Sequence, residues 1–326
     1  MKIAHNRKTI VSLVWCIFIL SSNCEKQSAP PSSKIVTGTT LLRSMPNGSA
    51  KEIHIGAIGD WGTGFTGQIK VFEVFKINTE KYPYDFLLTL GDNFYPAGVQ
   101  NTNDPKWETV YGRTYGSLPI TIYPSLGNHD HMGNVNALIY YSKIHPRWEL
   151  PSRYYSIVQP LTNQDTILFV ALDTEAILHK NDSIQLQWVE GQLLHSKARW
   201  KIVFGHHPIF SHGIRGKNGD NEYLRKYLQP ILVKTKTDLF IAGHDHILEL
   251  NGMKNGVFHA ISGGGGGSDN AYPIKKGRDM IYGTTDGGFM DIFISSEEIR
   301  LQMYPMTSQI PKPYILSKPV ERNSII

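Results

Sequence analysis

Five short apolar runs in this chain end the same way, in a glycine followed at once by a residue that can bind a metal ion. The pairs are Gly59-Asp60, Gly91-Asp92, Gly127-Asn128, Gly205-His206 and Gly243-His244. The runs before them, IHIGAI, FLLTL, TIYPSL, KIVF and LFIA, have the length and apolar, β-branched character of buried strands. Between strand-like runs lie segments with apolar residues at helical spacing, FTGQIKVFEVFKINTEKY and DSIQLQWVEGQLLHSKA, the second with Asp182 or Ser183 as N-cap. Strands alternating with helices predict a layered α/β fold with largely parallel strands. In such sheets, functional groups gather outside the carboxyl ends of the strands. One Gly-Asp turn would mean nothing. Five strand ends, each with a ligand-type residue next, predict a single shared site, with glycine permitting the sharp exit and close backbone approach.

The residue types say what is bound. Carboxylates, imidazoles and one amide, with no thiolate, suit iron, zinc or manganese. Asp60, Asp92, Tyr95, Asn128, His206, His244 and His246 are too many ligands for one ion and enough for two that share a carboxylate. Two ions roughly 3.5–4 Å apart clamp the attacking and leaving oxygens of a phosphate ester. Histidine usage agrees, because seven of the 13 lie in GNHDH, GHHP with its following SH, and GHDH. The isolated His145, His179, His195 and His259 read as ordinary surface or core residues.

The blocks GDWG, GDNFY, GNHDH, VFGH and GHDH, in this order, resemble the purple (tartrate-resistant) acid phosphatases of the calcineurin-like metallophosphoesterase superfamily. YYSKIHPRWELPSRYYS and YGTTDGGFMDIFI share the likeness, which spans about residues 52–305. The resemblance implies a four-layer α/β/β/α sandwich of two mixed sheets. It also implies hydrolysis of phosphate monoesters, with a hydroxide on the metal pair as nucleophile. Asp60, Tyr95 and His246 would hold the first ion, Fe(3+). Asn128, His206 and His244 would hold the second, Fe(2+), Zn(2+) or Mn(2+), and Asp92 would bridge. Tyrosine ionises near pH 10, so a phenolate ligand needs a strong Lewis acid; ferric iron fits and would colour the protein. His129 would face the substrate, with Asp130 orienting it by a hydrogen bond and His131 either behind it or at the rim, or purely structural. The family has a further histidine about nine residues after its GH ligand. Here Arg215 has that spacing from His206, with His212 three residues earlier. His212 is the expected proton donor; Arg215, permanently charged, is the alternative as a phosphate clamp. In the animal enzymes a restraining loop precedes QLQW. The segment from Asp173 to Gln185 is short here, which implies activity without clipping. Residues 262–272, SGGGGGSDNAY, are expected to form a flexible loop near the mouth; they lack the lysine and helix entry of a P-loop.

The N-terminus carries a targeting signal. Lys2, Arg7 and Lys8 precede an apolar run from Ile10 to Leu20, about half the length a membrane-spanning helix needs. LSSNC then resembles a bacterial lipoprotein signal with Cys24 lipidated; a simple secretory signal is the alternative. Removing residues 1–23 takes Cys16 and three basic residues, so no disulfide framework is possible and net charge falls from +5 to about +2. A nearly neutral chain has no broad footprint for nucleic acid. Residues 24–50, rich in Ser, Pro, Thr and Gly, read as a linker, residues 51–305 as the catalytic domain and 306–326 as an extension. The expected protein is exported, to the periplasm or cell surface if lipid-anchored and otherwise secreted. It would be a monomer acting on a small phosphorylated substrate and touching the membrane only through its anchor. Two other functions stay open: a phosphodiesterase or nuclease on the same scaffold, and an inert surface module that binds phosphorylated ligands.

Overall fold

The computed structural model describes residues 38–44, 52–216, 219–266 and 274–318. The expected signal, Cys24, most of the linker, the second half of the glycine-rich segment and the last residues of the extension lie outside them. In chain order the strands are β1 (Thr39–Leu42), β2 (Glu52–Ile58), β3 (Phe86–Leu90), β4 (Thr121–Ser125), β5 (Tyr155–Pro160), β6 (Thr166–Ala171) and β7 (Trp200–Phe204). Then follow β8 (Leu239–Ala242), β9 (Leu248–Lys254), β10 (Val257–Ser262), β11 (Tyr282–Thr284), β12 (Gly288–Ser295), β13 (Glu298–Pro305) and β14 (Tyr314–Ser317). They form two sheets, β1-β5-β6-β7-β8-β10-β9-β11 and β14-β13-β12-β2-β3-β4.

Each sheet is mixed. Strands separated by helices pair in parallel, as β2 with β3, β3 with β4, β6 with β7 and β7 with β8. Strands joined by tight turns pair antiparallel, so the largely parallel reading holds for the helix-linked strands and for β8 with β10, but not for the hairpins. At the β9–β10 turn both Asn255 (φ 53) and Gly256 (φ 89) are left-handed, as a two-residue hairpin requires.

The sheets pack face to face through Phe86 and Phe169, whose rings are 5.4 Å apart, and through the Tyr155 hydroxyl, which donates to the Pro124 carbonyl at 2.8 Å. Leu168, Val170 and Val203 point the other way, into a core with Ile177, Val189, Leu193, Leu224 and Leu232 from the covering helices. Strands buried on both faces read as continuous apolar runs rather than as alternation. The helix Thr66–Lys81 covers the second sheet, burying Val71, Phe72 and Phe75, with Phe75 edge-on to Phe289 at 5.0 Å. This is the layered sandwich of two mixed sheets that the motifs implied. Among the described residues no helix is long and apolar enough to cross a membrane.

Two boundaries differ from expectation. Thr39–Leu42, inside the expected linker, pairs in parallel with β5. Tyr314–Ser317, inside the expected extension, pairs with β13. Both add hydrogen-bonded edges to the sheets, so the folded part begins earlier and ends later than residues 51–305. The short segment before QLQW is also structured: Thr174–Lys180 is a helix capped by Asp173, and Asp182 caps the next, Ser183–His195.

Candidate metal centre

The ligand-bearing turns follow β2, β3 and β4 of one sheet and β7 and β8 of the other, so the site straddles the carboxyl ends of both. The backbone there is unusual. Asp60 (φ 57), Asp92 (φ 52) and His244 (φ 68) are themselves left-handed, whereas of the five preceding glycines only Gly91 (φ 82) is. The conformational strain falls on the candidate ligands, as it does at many functional sites. The glycines serve close packing instead: a Cβ on Gly127 would lie 2.2 Å from Asp92 Oδ1.

The donor atoms converge in two groups that share one oxygen. In the first, Asp60 Oδ1 lies 3.2 Å from the Tyr95 hydroxyl and 3.3 Å from His246 Nε2, and the Tyr95 hydroxyl lies 2.9 Å from Asp92 Oδ2. In the second, His206 Nε2 lies 3.1 Å from Asn128 Oδ1, 3.0 Å from His244 Nδ1 and 3.4 Å from the same Asp92 Oδ2. Asp60, Asp92, His206 and His244 are buried. His206 is aimed by Nδ1, which donates to the Leu90 carbonyl at 2.8 Å.

The electrostatics call for positive charge. Burial alone would push the His206 imidazole down, yet the Asp92 and Asp60 carboxylates hold it up at about 9. Burial drives the Asp92 carboxyl up, but the His206 and His129 imidazoles override it and keep the group well below the usual carboxylate range. Burial, then Asp60 and Asp92, push the Tyr95 phenol far above its ordinary value. Imidazole nitrogens, carboxylate oxygens and a phenol crowded at about 3 Å are a donor set that fits two cations of borderline or hard character. Two clusters of metal-capable side chains are present among the described residues, Asp60-Asp92-His206 and His206-His207-His244.

The calcineurin-like phosphoesterase family model matches residues 53–248. Human tartrate-resistant acid phosphatase type 5 is 31% identical over 81% of this chain and 91% of its own. The chain belongs to the purple acid phosphatase family. Among solved structures, GAP50, described as the anchor in the inner membrane complex of Plasmodium, superposes with a TM-score of 0.73 at 25% identity, covering 82% of this chain and 89% of that one. The purple acid phosphatase PPD1 from yellow lupin seeds has the same fold, with a TM-score of 0.61 at 15% identity over 85% of this chain and 56% of that one.

Around the centre, the structure departs from expectation at two residues, Asp130 and His212. His129 does lean over it, with Nε2 3.9 Å from Asp92 Oδ2 and its ring 4.3 Å from that of Tyr95. Asp130 does not orient it. That carboxylate is fully buried and accepts from the Asn93 and Gly127 backbone N–H groups and from the Asn93 side chain, at 2.9–3.2 Å. It fastens the two ligand turns together; burial, then the Asp92 charge, push it up to about 6. The carbonyl of Pro96 takes the expected role, accepting from His129 Nδ1 at 2.6 Å. His131 binds away from the centre, to Asp173 Oδ1 at 2.8 Å.

His212 is not beside the ligands. Glu249 and Asp279 hold it by both ring nitrogens, the second at 3.0 Å. Arg215 is beside them, with its guanidinium nitrogen 2.5 Å from His244 Nε2. Asn93, Asp245 and Glu249 were missed as supports, although Asn93 and Asp245 sit inside GDNFY and GHDH. The opening of the glycine-rich segment is a loop packed into the interior: Gly263–Gly266 are buried, and the Gly265 N–H donates to the Gly59 carbonyl at 3.0 Å.

Proposed function

We propose that this phosphoesterase hydrolyses phosphate monoesters at a centre of two metal ions. The carrying observation is the single Asp92 oxygen shared by two donor groups on the two sheets. Asp60, Tyr95 and His246 would hold one ion, ferric because only a strong Lewis acid makes tyrosine a ligand, and Asn128, His206 and His244 the other, divalent. When bound, the pair supplies Lewis acidity that lowers the pKa of water and neutralises developing charge on phosphate oxygens.

The chain's own groups do the rest. The Pro96 carbonyl accepts from His129 Nδ1, which leaves Nε2 facing the centre; as an imidazolium, the side chain would donate its Nε2–H to the phosphoryl group or pass that proton to the departing oxygen. Arg215 adds a charge that does not titrate. Asp130, buried, keeps the Asp92 and Asn128 turns in register. The near-neutral mature charge favours a small substrate over nucleic acid. The N-terminal sequence supports export, with Cys24 as a lipid anchor.

The test is metal analysis of the purified protein with turnover of p-nitrophenyl phosphate and bis(p-nitrophenyl) phosphate. Two ions per chain and faster turnover of the monoester are expected. Faster turnover of the diester would point to a phosphodiesterase. Bound metal without hydrolysis of either would point to an inert binding module.

A further inference from the structure

Asp245 is the one residue of GHDH with no place among the expected ligands or glycines. It lies between His244 and His246, is 2% exposed, and turns away from the centre. Its Oδ2 accepts from the Ser211 hydroxyl. Its Oδ1, buried and without a hydrogen bond, lies 3.9 Å from Arg215 Nε. Ser211 Oγ in turn accepts the Gly213 N–H at 2.9 Å, and a Cβ on Gly213 would lie 2.7 Å from Asp245 Oδ2. Glu249, fully buried, grips the same loop at His212 through the backbone N–H, 3.1 Å, and through Nδ1. The loop is thus fastened at two consecutive residues, Ser211 and His212, to two buried carboxylates, with the Gly213 N–H held by Ser211. Arg215 follows, with a side chain that is 41% exposed.

A long side chain on a loose loop loses much of its binding energy to ordering; one held in place does not. We propose that Asp245, through Ser211 and the Arg215 guanidinium, is a positioning residue that aims Arg215 at a phosphoryl oxygen of the substrate. This rests on the phosphatase reading above. The ligand class is a phosphate monoester or free inorganic phosphate, met by a fork of charge-assisted donors. Asp245 touches neither metal nor substrate and acts only through Arg215.

The test is calorimetric binding of inorganic phosphate to the full-length, metal-loaded protein at pH 6, with metal content measured on each variant. Arg215→Ala should weaken phosphate by roughly tenfold to thirtyfold, the loss of one charge-assisted contact. Asp245→Asn should weaken it by about fivefold to tenfold with two ions retained. The double variant should bind no more weakly than Arg215→Ala alone, because a positioning residue has nothing left to position. Ser211→Ala provides the same cycle in a milder form if Asp245→Asn does not fold: about twofold to threefold in the wild-type background, and no effect beside Arg215→Ala. Additive losses in either cycle, unchanged phosphate binding in Asp245→Asn, or loss of metal from it would each overturn the assignment. A wild-type protein that binds two ions but neither phosphate nor any ester fails the phosphatase reading instead.

Discussion

Asp92→Asn bears most directly on the centre. The substitution keeps the side chain's size and an oxygen able to accept the His129 N–H, which donates to Asp92 Oδ1 at 2.9 Å. It removes the one negative charge common to both donor groups. In the chelated protein that charge, with Asp60, holds the buried His206 imidazolium at about 9, against an ordinary 6.5. A folded-state pKa raised in this way gives stability that is complete below about pH 6.5 and disappears as pH rises through about 9. The difference corresponds to about 3 kcal/mol. From the Asp92 side, the same pair matters only in acid, as the carboxylate is protonated, so the alkaline window reports His206. Urea unfolding of chelated wild-type protein at pH 6 and pH 9.5 should therefore differ by about 3 kcal/mol, and chelated Asp92→Asn should show a much flatter dependence. The metal-loaded variant should fall below one ion per chain, with turnover near background. Two ions retained, or an alkaline loss as steep as in the wild type, would refute the shared oxygen.

Tyr95→Phe should fold normally and lose any visible charge-transfer band; a band that survives unchanged means that Tyr95 does not hold ferric iron. His129→Asn should lower kcat on p-nitrophenyl phosphate by about 10²-fold, in the range of lost acid–base catalysis, with two ions retained; unchanged kcat would remove His129 from the reaction. His212→Ala should cost about 1–3 kcal/mol by leaving Glu249 buried without its partner, with the shape of the pH–rate profile unchanged; loss of one limb would restore His212 as proton donor. Gly127→Ala should lower metal affinity at least tenfold, because the added methyl would sit on Asp92; full occupancy at limiting metal would show that the turn can relax.

Most of the residues that converge at the candidate centre were legible because each is local: a strand, a glycine, a donor. His129 was legible for the same reason, as part of GNHDH. The supporting contacts were not, because they join distant segments. His212 looked free to donate a proton until Glu249, 37 residues on, and Asp279, 67 residues on, were brought against it. Asp130 sits beside His129 in sequence, but the helical turn Asn128–His131 sends it inward while His129 faces out. β1 went unseen because TTLL lies among Ser, Pro and Gly and finds its partner at Tyr155, far along the chain.

The left-handed backbone at Asp60, Asp92 and His244 narrows what evolution or a mutagenesis library can place there. An L-residue in that conformation costs roughly 1–2 kcal/mol, less for Asp and Asn, and almost nothing for Gly. At Asp60 and Asp92, then, alanine adds backbone strain to the loss of the carboxylate, while glycine loses the carboxylate and its hydrogen bond to the His244 or His129 N–H without that strain. A lineage that lost its metals would be expected to drift toward Gly or Asn at these positions rather than toward a random mixture, leaving a recognisable scar of the former centre in sequences that no longer hydrolyse anything.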